Sequence, residues 1–317
     1  MRFVSAFLFL ALGMSAIDDF NGRWNIKVVN EPRQRVWWLE VTGAGTGNVK
    51  GRFVGAPGGG MDEIPEISIG NGELRFVFDR GYRVPGQEQP ARAKGVYRAK
   101  VVDGQLKGTF QIEGRSDSPT EWIGVRAPEI KDKDDGSWKE GKPVALFNGK
   151  DLSGWKAVVP GRDLGWRVEN RILTNEAGAN NLVSDQKFWN FRLQAEYRLG
   201  PKSNSGIGLR GRYEVQILDD FGRPATKQGN GALYSRIVPS ENASKPAGEW
   251  QTFDIRLVGR DVTVVLNGKT IIDRQTIEGF TAVATDVDEA SPGPITLQGD
   301  HGSVEFRKLV VTPLEKR

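Results

Sequence analysis

The run NSGIGLRGRYEVQILDD, at residues 204–220, alternates apolar and polar side chains, which is the pattern of a β-strand with two unlike faces. One parity holds the apolar residues Ile207, Leu209, Tyr213, Val215 and Ile217. The other parity holds Arg210, Arg212, Glu214 and Gln216. We predict a strand over residues 206–218. Its polar row forms either a surface that grips a polyol or an ordinary solvated face with a cross-strand ion pair.

Short strands separated by glycine turns are predicted along the rest of the chain, and helical periodicity is scarce. The sequence DVTVVLNGKTIID contains Asn267-Gly268 between alternating residues, which is a strong hairpin signal. We therefore predict an all-β protein. Residues 17–127 are expected to form a smaller antiparallel β-barrel or meander, residues 128–142 a charged linker, and residues 143–317 a two-sheet jelly roll.

The first sixteen residues have the layout of a secretory signal peptide. Arg2 precedes an apolar run at residues 3–12, which is too short to cross a bilayer stably, and Gly13, Ser15 and Ala16 follow it. We expect export to the periplasm or the medium, without membrane insertion. The sequence has no cysteine, which excludes thiolate catalysis and sulfur-ligand zinc sites.

The charges of the chain do not indicate a nucleic-acid partner. The sequence has 44 basic and 40 acidic residues, a net charge of +4, and the basic residues are scattered among the acidic ones. Nucleic-acid-binding proteins concentrate their basic residues on one face or stripe. Motifs of other enzyme classes are also absent, since no GxxxxGK[ST], HExxH or GxSxG pattern occurs; the run GSWKEGK at 136–142 is followed by Pro143 instead of Ser or Thr.

Several segments after residue 142 resemble, in order, those of the 3-keto-disaccharide hydrolase family. They are LFNGKDLSGWK at 146–156, the NSGIGLR and YEVQILDD run, GALYSRIVPSENASKPAGEWQTFDI at 231–255, LNGKTIID at 266–273 and GPITLQGDHGSVEFRKLVV at 293–311. The resemblance covers nearly all of residues 143–315. It implies a concanavalin-like jelly roll in an exported bacterial protein that acts on glycosides oxidised at carbon 3, and residues 17–127 as an accessory domain.

One departure from the family pattern lies at Gln298-Gly299-Asp300-His301-Gly302. Many relatives run the glutamine directly into the aspartate–histidine pair, so Gly299 is an added residue that is expected to shift the histidine. His301 is the only histidine of the chain. An imidazole suits both proton transfer and metal binding, and we take His301 as a candidate catalytic residue with Gln298 and Asp300 as substrate-binding candidates.

Two further catalytic candidates, Glu214 and Arg210, come from the polar row of the alternating run. Gln216 shares this row. Glu196 has the polar parity of the preceding strand NFRLQAEYRL, and we expect the two strands to be antiparallel neighbours that bring Glu196 close to Arg210 or Arg212. This group is interpreted either as a paired-carboxylate site tuned by arginine or as a structural salt bridge.

Substrate-binding candidates also lie in the loops that follow predicted strands. Asp219 ends the alternating run, where a carboxylate binds sugar hydroxyls, binds calcium or caps a turn. Lys245 lies in a family motif before Trp250, where it either lines the cleft or is solvated. Together with Glu196, Gln216, Gln298 and Asp300, these residues are our candidate contacts to a saccharide.

If the substrate is a 3-keto-glycoside, its ketone acidifies the hydrogen on carbon 2, and elimination followed by hydration gives net hydrolysis. We expect His301 or Glu214 to transfer protons, Arg210 or a divalent cation to stabilise the enolate oxygen, and Gln216 and Asp219 to position the sugar. No cofactor other than such a cation is indicated. The alternatives are two-carboxylate hydrolysis by Glu196 and Glu214, and a glycan-binding protein without catalysis.

Overall fold

The computed structural model describes residues 19–31, 35–55, 59–82 and 91–316, which are all strands, turns and loops. The predicted signal peptide lies outside these residues. Contacts between Cα atoms divide the chain into two units, one ending at Ala127 and the other beginning at Pro128. Nowhere in the described ranges is there a helix with the length and apolar character needed to cross a membrane.

The first unit is a nine-stranded antiparallel sheet. Its strands are β1 (Gly22–Val28), β2 (Val36–Thr42), β3 (Lys50–Val54), β4 (Met61–Glu63), β5 (Glu66–Gly70), β6 (Glu73–Tyr82), β7 (Ala91–Val102), β8 (Gln105–Ile112) and β9 (Thr120–Arg126). Strands that follow one another in the chain pair with each other except at β4 and β5, and β9 pairs with β1. This nine-stranded antiparallel sheet, with β4 and β5 at its edges, confirms the predicted barrel or meander.

Aromatic side chains fill the core of the first unit. The ring of Trp37 meets Phe53 and Tyr97 edge-on, with ring centroids 5.8 and 5.6 Å apart, and Tyr97 stacks on Phe76 at 4.5 Å. Edge-to-face and offset contacts of this kind are the preferred geometries of aromatic pairs. Tryptophan in this unit is therefore largely a core residue.

The second unit has two sheets. The strands are β10 (Trp138–Glu140), β11 (Val144–Ala145), β12 (Trp155–Ala157), β13 (Trp166–Glu169), β14 (Ile172–Asn175), β15 (Leu182–Phe188), β16 (Phe191–Leu199), β17 (Asn204–Leu209), β18 (Tyr213–Leu218), β19 (Gln251–Val258), β20 (Asp261–Leu266), β21 (Lys269–Thr276), β22 (Gly293–Leu297) and β23 (Val304–Lys316). The larger sheet has the order β13-β14-β23-β16-β19-β20-β21, with β10 and β11 also on β23; the smaller has the order β12-β15-β22-β17-β18.

Alternation along β16 shows how the larger sheet faces the core. Phe191, Leu193, Ala195, Tyr197 and Leu199 are buried, whereas the residues between them are partly exposed. The two sheets meet where Phe188 of β15 contacts Phe191 of β16, with ring centroids 6.1 Å apart. The all-β jelly-roll sandwich predicted for this part of the chain is thereby confirmed.

Residues 128–142, for which the sequence predicts a charged linker, lie against the second unit. Trp189 and Asn190 each donate a side-chain hydrogen bond of 2.8 Å to Asp132. The guanidinium of Arg256 pairs with Asp134 at 2.8 Å. Strand β10 then continues the segment along β23.

The prediction of one strand over residues 206–218 is wrong, because β17 and β18 form a hairpin with a turn at residues 210–212. Arg210 and Gly211 in this turn have positive φ angles of 54° and 64°. A turn of three residues preserves the parity of the alternation, which is why the sequence pattern continues through it. Residues 231–237 form no strand, since Leu233 makes only isolated bridges to Val215 and Ile237.

Candidate acid–base site

The two faces of the small sheet have opposite character around β18. Val215 and Ile217 belong to the apolar core, and Glu214 and Gln216 lie on the other face. On the neighbouring strand β17, Gly208 pairs with Glu214 and Gly206 pairs with Gln216. This parity was predicted from the sequence, and it places a carboxyl group and a carboxamide side by side.

Two glycines of β17 give the polar side chains of this face their space. A Cβ atom on Gly206 would lie 2.6 Å from Oε1 of Glu214, and one on Gly208 would lie 2.0 Å from Oγ1 of Thr296. The Glu214 carboxyl group therefore lies over Gly206 and the Thr296 hydroxyl over Gly208. The N-S-G-I-G sequence of β17 is thus explained by the close approach of side chains from both neighbouring strands.

Strand β22 completes the polar face on the other side of β17. Thr296 pairs with Gly208, and the backbone N–H of Gln298 donates a 2.9 Å hydrogen bond to the carbonyl of Gly206. Gln298 and Gln216 therefore flank Gly206, the position that the Glu214 carboxyl group covers. We call these four side chains, Glu214, Gln216, Thr296 and Gln298, the polar cluster.

Each residue of the polar cluster has a buried oxygen that accepts no hydrogen bond. The atoms are Glu214 Oε2, Gln216 Oε1, Thr296 Oγ1 and Gln298 Oε1. Buried polar atoms are nearly always paired, so unpaired acceptors grouped on one sheet face indicate a functional site. They favour a protonated Glu214, because a carboxylic acid supplies a hydrogen where an ionised carboxylate adds only another acceptor.

The electrostatics of Glu214 agree with that assignment. Its side chain is 2% exposed, and burial raises the pKa of the carboxyl group to about 8. The charge of His301 lowers this pKa and that of Asp300 raises it, so both groups lie near enough to act on Glu214. Glu214 is consequently neutral at pH 7 and able to donate a proton.

His301 and Asp300 form a hydrogen-bonded pair next to the polar cluster. The distance between His301 Nδ1 and Asp300 Oδ1 is 2.9 Å, and half of the histidine side chain is exposed. This hydrogen bond, with the charge of Asp300, raises the pKa of His301. When Nδ1–H donates to the carboxylate, Nε2 carries the free lone pair. This tautomer suits a base that Asp300 orients.

Two asparagines hold the turn that carries His301. Asn175, which is 3% exposed, accepts a hydrogen bond from Val304 N and donates to the carbonyls of Gly299 and Gly302. Asn181 Oδ1 accepts from the backbone N–H groups of Gly299 and Asp300 at 2.7 and 3.1 Å. The turn is therefore fixed from both sides, and a fixed turn keeps an acid–base group in reach of its partner.

Gly299 lies where no side chain fits. A Cβ atom at this position would lie 2.4 Å from the carbonyl oxygen of Asn180 and 2.7 Å from Nε1 of Trp166. The glycine therefore allows the turn to pack against β13 and the loop before β15.

Replacing Gly299 by alanine is expected to destabilise the protein by about 1–3 kcal/mol, because the new methyl group overpacks a backbone contact. It should also move the turn and change the imidazole signal of His301, which NMR reports without overlap because the chain has one histidine. Gly200→Ala is the matched control, since its nearest neighbour would be Ser303 Oγ at 4.0 Å. Equal stability and equal His301 spectra for both variants would contradict this packing argument.

The structure does not bring Arg210 into the polar cluster. In the β17–β18 turn, its guanidinium donates to the Trp189 carbonyl and to Asn190 Oδ1, and it lies 4.1 Å from the centroid of the Trp189 ring. Burial lowers the pKa of Arg210 to about 10, and the group stays protonated at neutral pH. Arg212, which we expected near Glu196, is fully buried and pairs with Asp286 at 2.7 Å.

Glu196 also lies away from Glu214. Strands β16 and β17 belong to different sheets, so the expected antiparallel pairing of these two strands is wrong. Because Ala195 and Tyr197 face the core, Glu196 lies on the outer face of the large sheet, where it pairs with Arg307 at 2.6 Å. The crossing between sheets, typical of jelly rolls, separates residues that a short loop connects.

Asp219 and Lys245 hydrogen-bond to backbone groups of nearby loops. Asp219 Oδ2 accepts a 2.7 Å hydrogen bond from Lys202 N and so caps the turn before β17. The ammonium of Lys245 donates to the carbonyl of Trp250 at 3.0 Å. The structure therefore groups Glu214, Gln216, Gln298, Asp300 and His301, and leaves Arg210, Glu196, Asp219 and Lys245 with other partners.

The sequence left open a divalent cation at the site, and the residues that the structure describes bear on that expectation. Within them, no three His, Asp or Glu side chains are grouped so as to hold a metal ion.

Sequence reasoning did not find Tyr234 and Thr296. Tyr234 N donates a 3.0 Å hydrogen bond to the Glu214 carbonyl, and its phenol is close enough for the Glu214 charge to act on it. Burial is the main cause that raises the pKa of Tyr234, so the hydroxyl keeps its proton. Tyr234 lies in the quoted segment GALYSRIV, but it follows no strand alternation that marks a face. Thr296 lies in β22, in which every residue is buried. A strand buried on both faces lacks the alternation that would mark Thr296 as part of a polar face.

The jelly-roll sandwich therefore carries a candidate acid–base site. It consists of a neutral buried carboxyl group beside a histidine–aspartate pair. Residues 142–312 match the family described as the 3-keto-alpha-glucoside-1,2-lyase-like domain. The chain belongs to this family.

Similar proteins were found by sequence and by structure. A 3-keto-disaccharide hydrolase of Bacteroides thetaiotaomicron is 23% identical over 187 residues, which are 47% of this chain and 62% of that protein. A candidate glycosyl hydrolase of Parabacteroides distasonis, known from its crystal structure, is 27% identical with a TM-score of 0.47, covering 59% of this chain and 92% of the other. A carbohydrate-binding module of Bacillus subtilis has 12% identity and a TM-score of 0.35, covering 51% of this chain and 95% of its own.

Proposed function

We propose that this protein cleaves 3-keto-glycosides by elimination and hydration, with net hydrolysis. The observation that carries the proposal is the neutral, buried Glu214 beside the His301–Asp300 pair, because this reaction needs one acid and one base at the same sugar ring. Two findings support the choice of substrate: the chain belongs to the family, and part of it is similar to the 3-keto-disaccharide hydrolase of Bacteroides thetaiotaomicron.

In the elimination step, His301 accepts the hydrogen of carbon 2, which the neighbouring ketone makes acidic. The electron pair forms the double bond between carbons 1 and 2 as the bond from carbon 1 to the glycosidic oxygen breaks. Glu214 donates its proton to that oxygen, so the leaving sugar departs as an alcohol. His301 is then an imidazolium ion and Glu214 a carboxylate.

The hydration step restores both groups. The oxygen of a water molecule adds to carbon 1 while the Glu214 carboxylate accepts a proton from that water. His301 returns a proton to carbon 2. Each residue ends in the protonation state in which it began, and no oxidant or reductant is consumed. The sum of the two steps is one glycoside plus one water giving two sugars.

Charge that develops on the ketone oxygen needs a hydrogen-bond donor, and the Tyr234 hydroxyl is our candidate for this role. It lies near Glu214 and keeps its proton, so it can donate to an enolate oxygen. This role replaces the one that the sequence suggested for Arg210, whose guanidinium binds Trp189 and Asn190.

The test is to incubate the pure protein with a 3-keto-disaccharide and, separately, with the unoxidised parent disaccharide, and to quantify the released sugars. We expect release from the ketone alone, since without it the hydrogen on carbon 2 is not acidic. Release from the parent at a similar rate would instead support conventional hydrolysis. Binding of either sugar without release would support the glycan-binding alternative.

We also propose that the protein acts outside the cytoplasm, in the periplasm or the medium. The support is the arrangement of residues 1–16 as a charged, apolar and small-residue succession. Edman sequencing of the protein from its native host tests this proposal. A mature chain beginning near Ile17 is expected, and a chain that retains Met1 would contradict it.

A further inference from the structure

Phe221 is an exposed aromatic residue on a turn that the fold holds rigidly. Its side chain is 55% exposed, the largest exposure among the described large apolar residues, and it is the only aromatic residue among the exposed ones. Single exposed apolar residues are common on protein surfaces, so exposure alone carries no conclusion. The position of Phe221 and the way it is held carry the argument.

Buried hydrogen bonds fix the turn at residues 220–223. Arg223 N donates to the Asp220 carbonyl at 3.0 Å, and Gly222 has a φ angle of +75°, which favours glycine. The Asp220 carboxylate, which is 5% exposed, accepts from Asn230 N and from Ser244 Oγ, both at 2.9 Å.

A third anchor bridges the two ends of the turn. Asn242 Nδ2 donates to the carbonyls of both Asp220 and Arg223, at 2.8 and 3.0 Å. The buried carboxylate of Asp220 and the carboxamide of Asn242 therefore hold a turn whose tip is the exposed phenyl ring of Phe221. A ring that is already fixed loses little conformational entropy when it binds a ligand.

The turn lies at the same edge of the small sheet as His301. Strands β18 and β22 are both antiparallel to β17, which lies between them, so they run in the same direction and end at the same edge. Phe221 follows the end of β18 and His301 follows the end of β22. With neighbouring strands about 4.8 Å apart, the two strand ends are about 10 Å apart.

Along the other direction, β18 connects Phe221 to the polar cluster. The Glu214 carboxyl group lies over Gly206, at the level of Gln216, two residues before the end of β18. A sugar ring between Glu214 and His301 therefore has Phe221 beyond it at the sheet edge. A ligand with one ring extends to Glu214 and His301 only, whereas a second ring continues toward the turn.

We propose that Phe221 is the stacking platform for the leaving-group sugar, and that the site selects 3-keto-glycosides whose leaving group is a ring. The apolar C–H face of a pyranose packs on a phenyl ring, and aromatic contacts of this kind supply both apolar burial and orientation. The inference rests on the proposed function, because it takes the leaving group from the reaction assigned to Glu214 and His301.

The test compares two 3-keto-glucosides, one carrying glucose and one carrying methyl as the leaving group. Phe221→Ala should lower kcat/KM for the disaccharide by about 3- to 10-fold more than for the methyl glycoside. Phe221→Trp should restore the preference for the disaccharide. Val238→Ala is the matched control, because Val238 is 49% exposed and apolar but lies on another loop. Equal losses on both substrates, or none, would overturn the proposal.

A binding measurement separates this inference from the proposed function. Calorimetry with the unoxidised disaccharide and with methyl glucoside needs no turnover. If wild-type protein cleaves neither ketone, the proposed function fails. A 3- to 10-fold weaker binding of the disaccharide to Phe221→Ala, but not to Val238→Ala, would still support the platform. Unchanged affinity, or no binding of the disaccharide to the wild-type protein, would overturn it.

Discussion

Replacing Glu214 by glutamine is expected to lower kcat/KM for a 3-keto-disaccharide by about 10²–10⁴, the usual contribution of a general acid. Glutamine keeps the shape of the side chain over Gly206 and removes the proton that the leaving oxygen receives. In the wild-type protein, kcat/KM should fall as the pH rises through about 8, where Glu214 loses its proton. This fall should disappear from the residual activity of Glu214→Gln, measured in steady-state assays from pH 5 to 10.

The matched control is Glu196→Gln, which alters a carboxylate on the outer face of the other sheet. We expect its kcat/KM to stay within about twofold of the wild-type value, because Glu196 and its partner Arg307 lie away from the polar cluster. A loss as large as that of Glu214→Gln would instead support the two-carboxylate mechanism and contradict the placement described above.

Glu214→Gln should also change how the stability of the protein depends on pH. Burial raises the pKa of Glu214 from 4.5 to about 8, so the folded protein binds this proton more tightly than the unfolded chain does. The contribution to the free energy of unfolding is fully present below pH 4.5 and is lost as the pH rises through about 8. Denaturant titrations should therefore show Glu214→Gln gaining on the wild type, by an amount of the order of a few kcal/mol, across this interval.

Replacing His301 by glutamine is expected to lower kcat/KM by about 10²–10⁴ as well, because it removes the base that accepts the hydrogen of carbon 2. The wild-type activity should fall at low pH as His301 becomes protonated. Asp300→Asn is the sharper variant, since it keeps the imidazole and removes the charge that raises its pKa. The acid limb of the pH profile should then shift to lower pH.

NMR titration of the single imidazole gives the pKa of His301 directly in each protein. We expect a lower pKa in Asp300→Asn than in the wild type, because the hydrogen bond to Asp300 and the charge of that carboxylate raise it. An acid limb that stays in place while the imidazole pKa shifts would show that another group is the base. Thermal unfolding that matches the wild type is the folding control for Asp300→Asn.

Alternation in residues 204–218 was enough to predict which side chains share a face of the small sheet. Glu214 and Gln216 lie opposite the apolar core as the pattern requires. The turn was missed because Arg210 adopts a left-handed backbone and the three-residue turn keeps the parity. Arg210 therefore shares the parity of Glu214 in the sequence but lies at the far end of the hairpin.

Contacts between distant segments were beyond the sequence pattern. The loop after β16 is short, and a short loop between two strands usually makes a hairpin, whereas here it carries the chain from one sheet to the other. Glu196 was therefore placed beside the wrong neighbour. Thr296 and Tyr234 join the site only through the packing of β22 and of residues 231–234 against β17 and β18, which periodicity does not report.

The central claim is that cleavage proceeds by removal and return of the hydrogen on carbon 2. The most direct measurement is to cleave a 3-keto-disaccharide in deuterium oxide and locate deuterium in the released 3-keto sugar by NMR, with uncleaved substrate as the control for spontaneous exchange. We expect one deuterium at carbon 2 of the product, delivered through His301 during hydration. A product that retains its original hydrogen at carbon 2 would contradict the account.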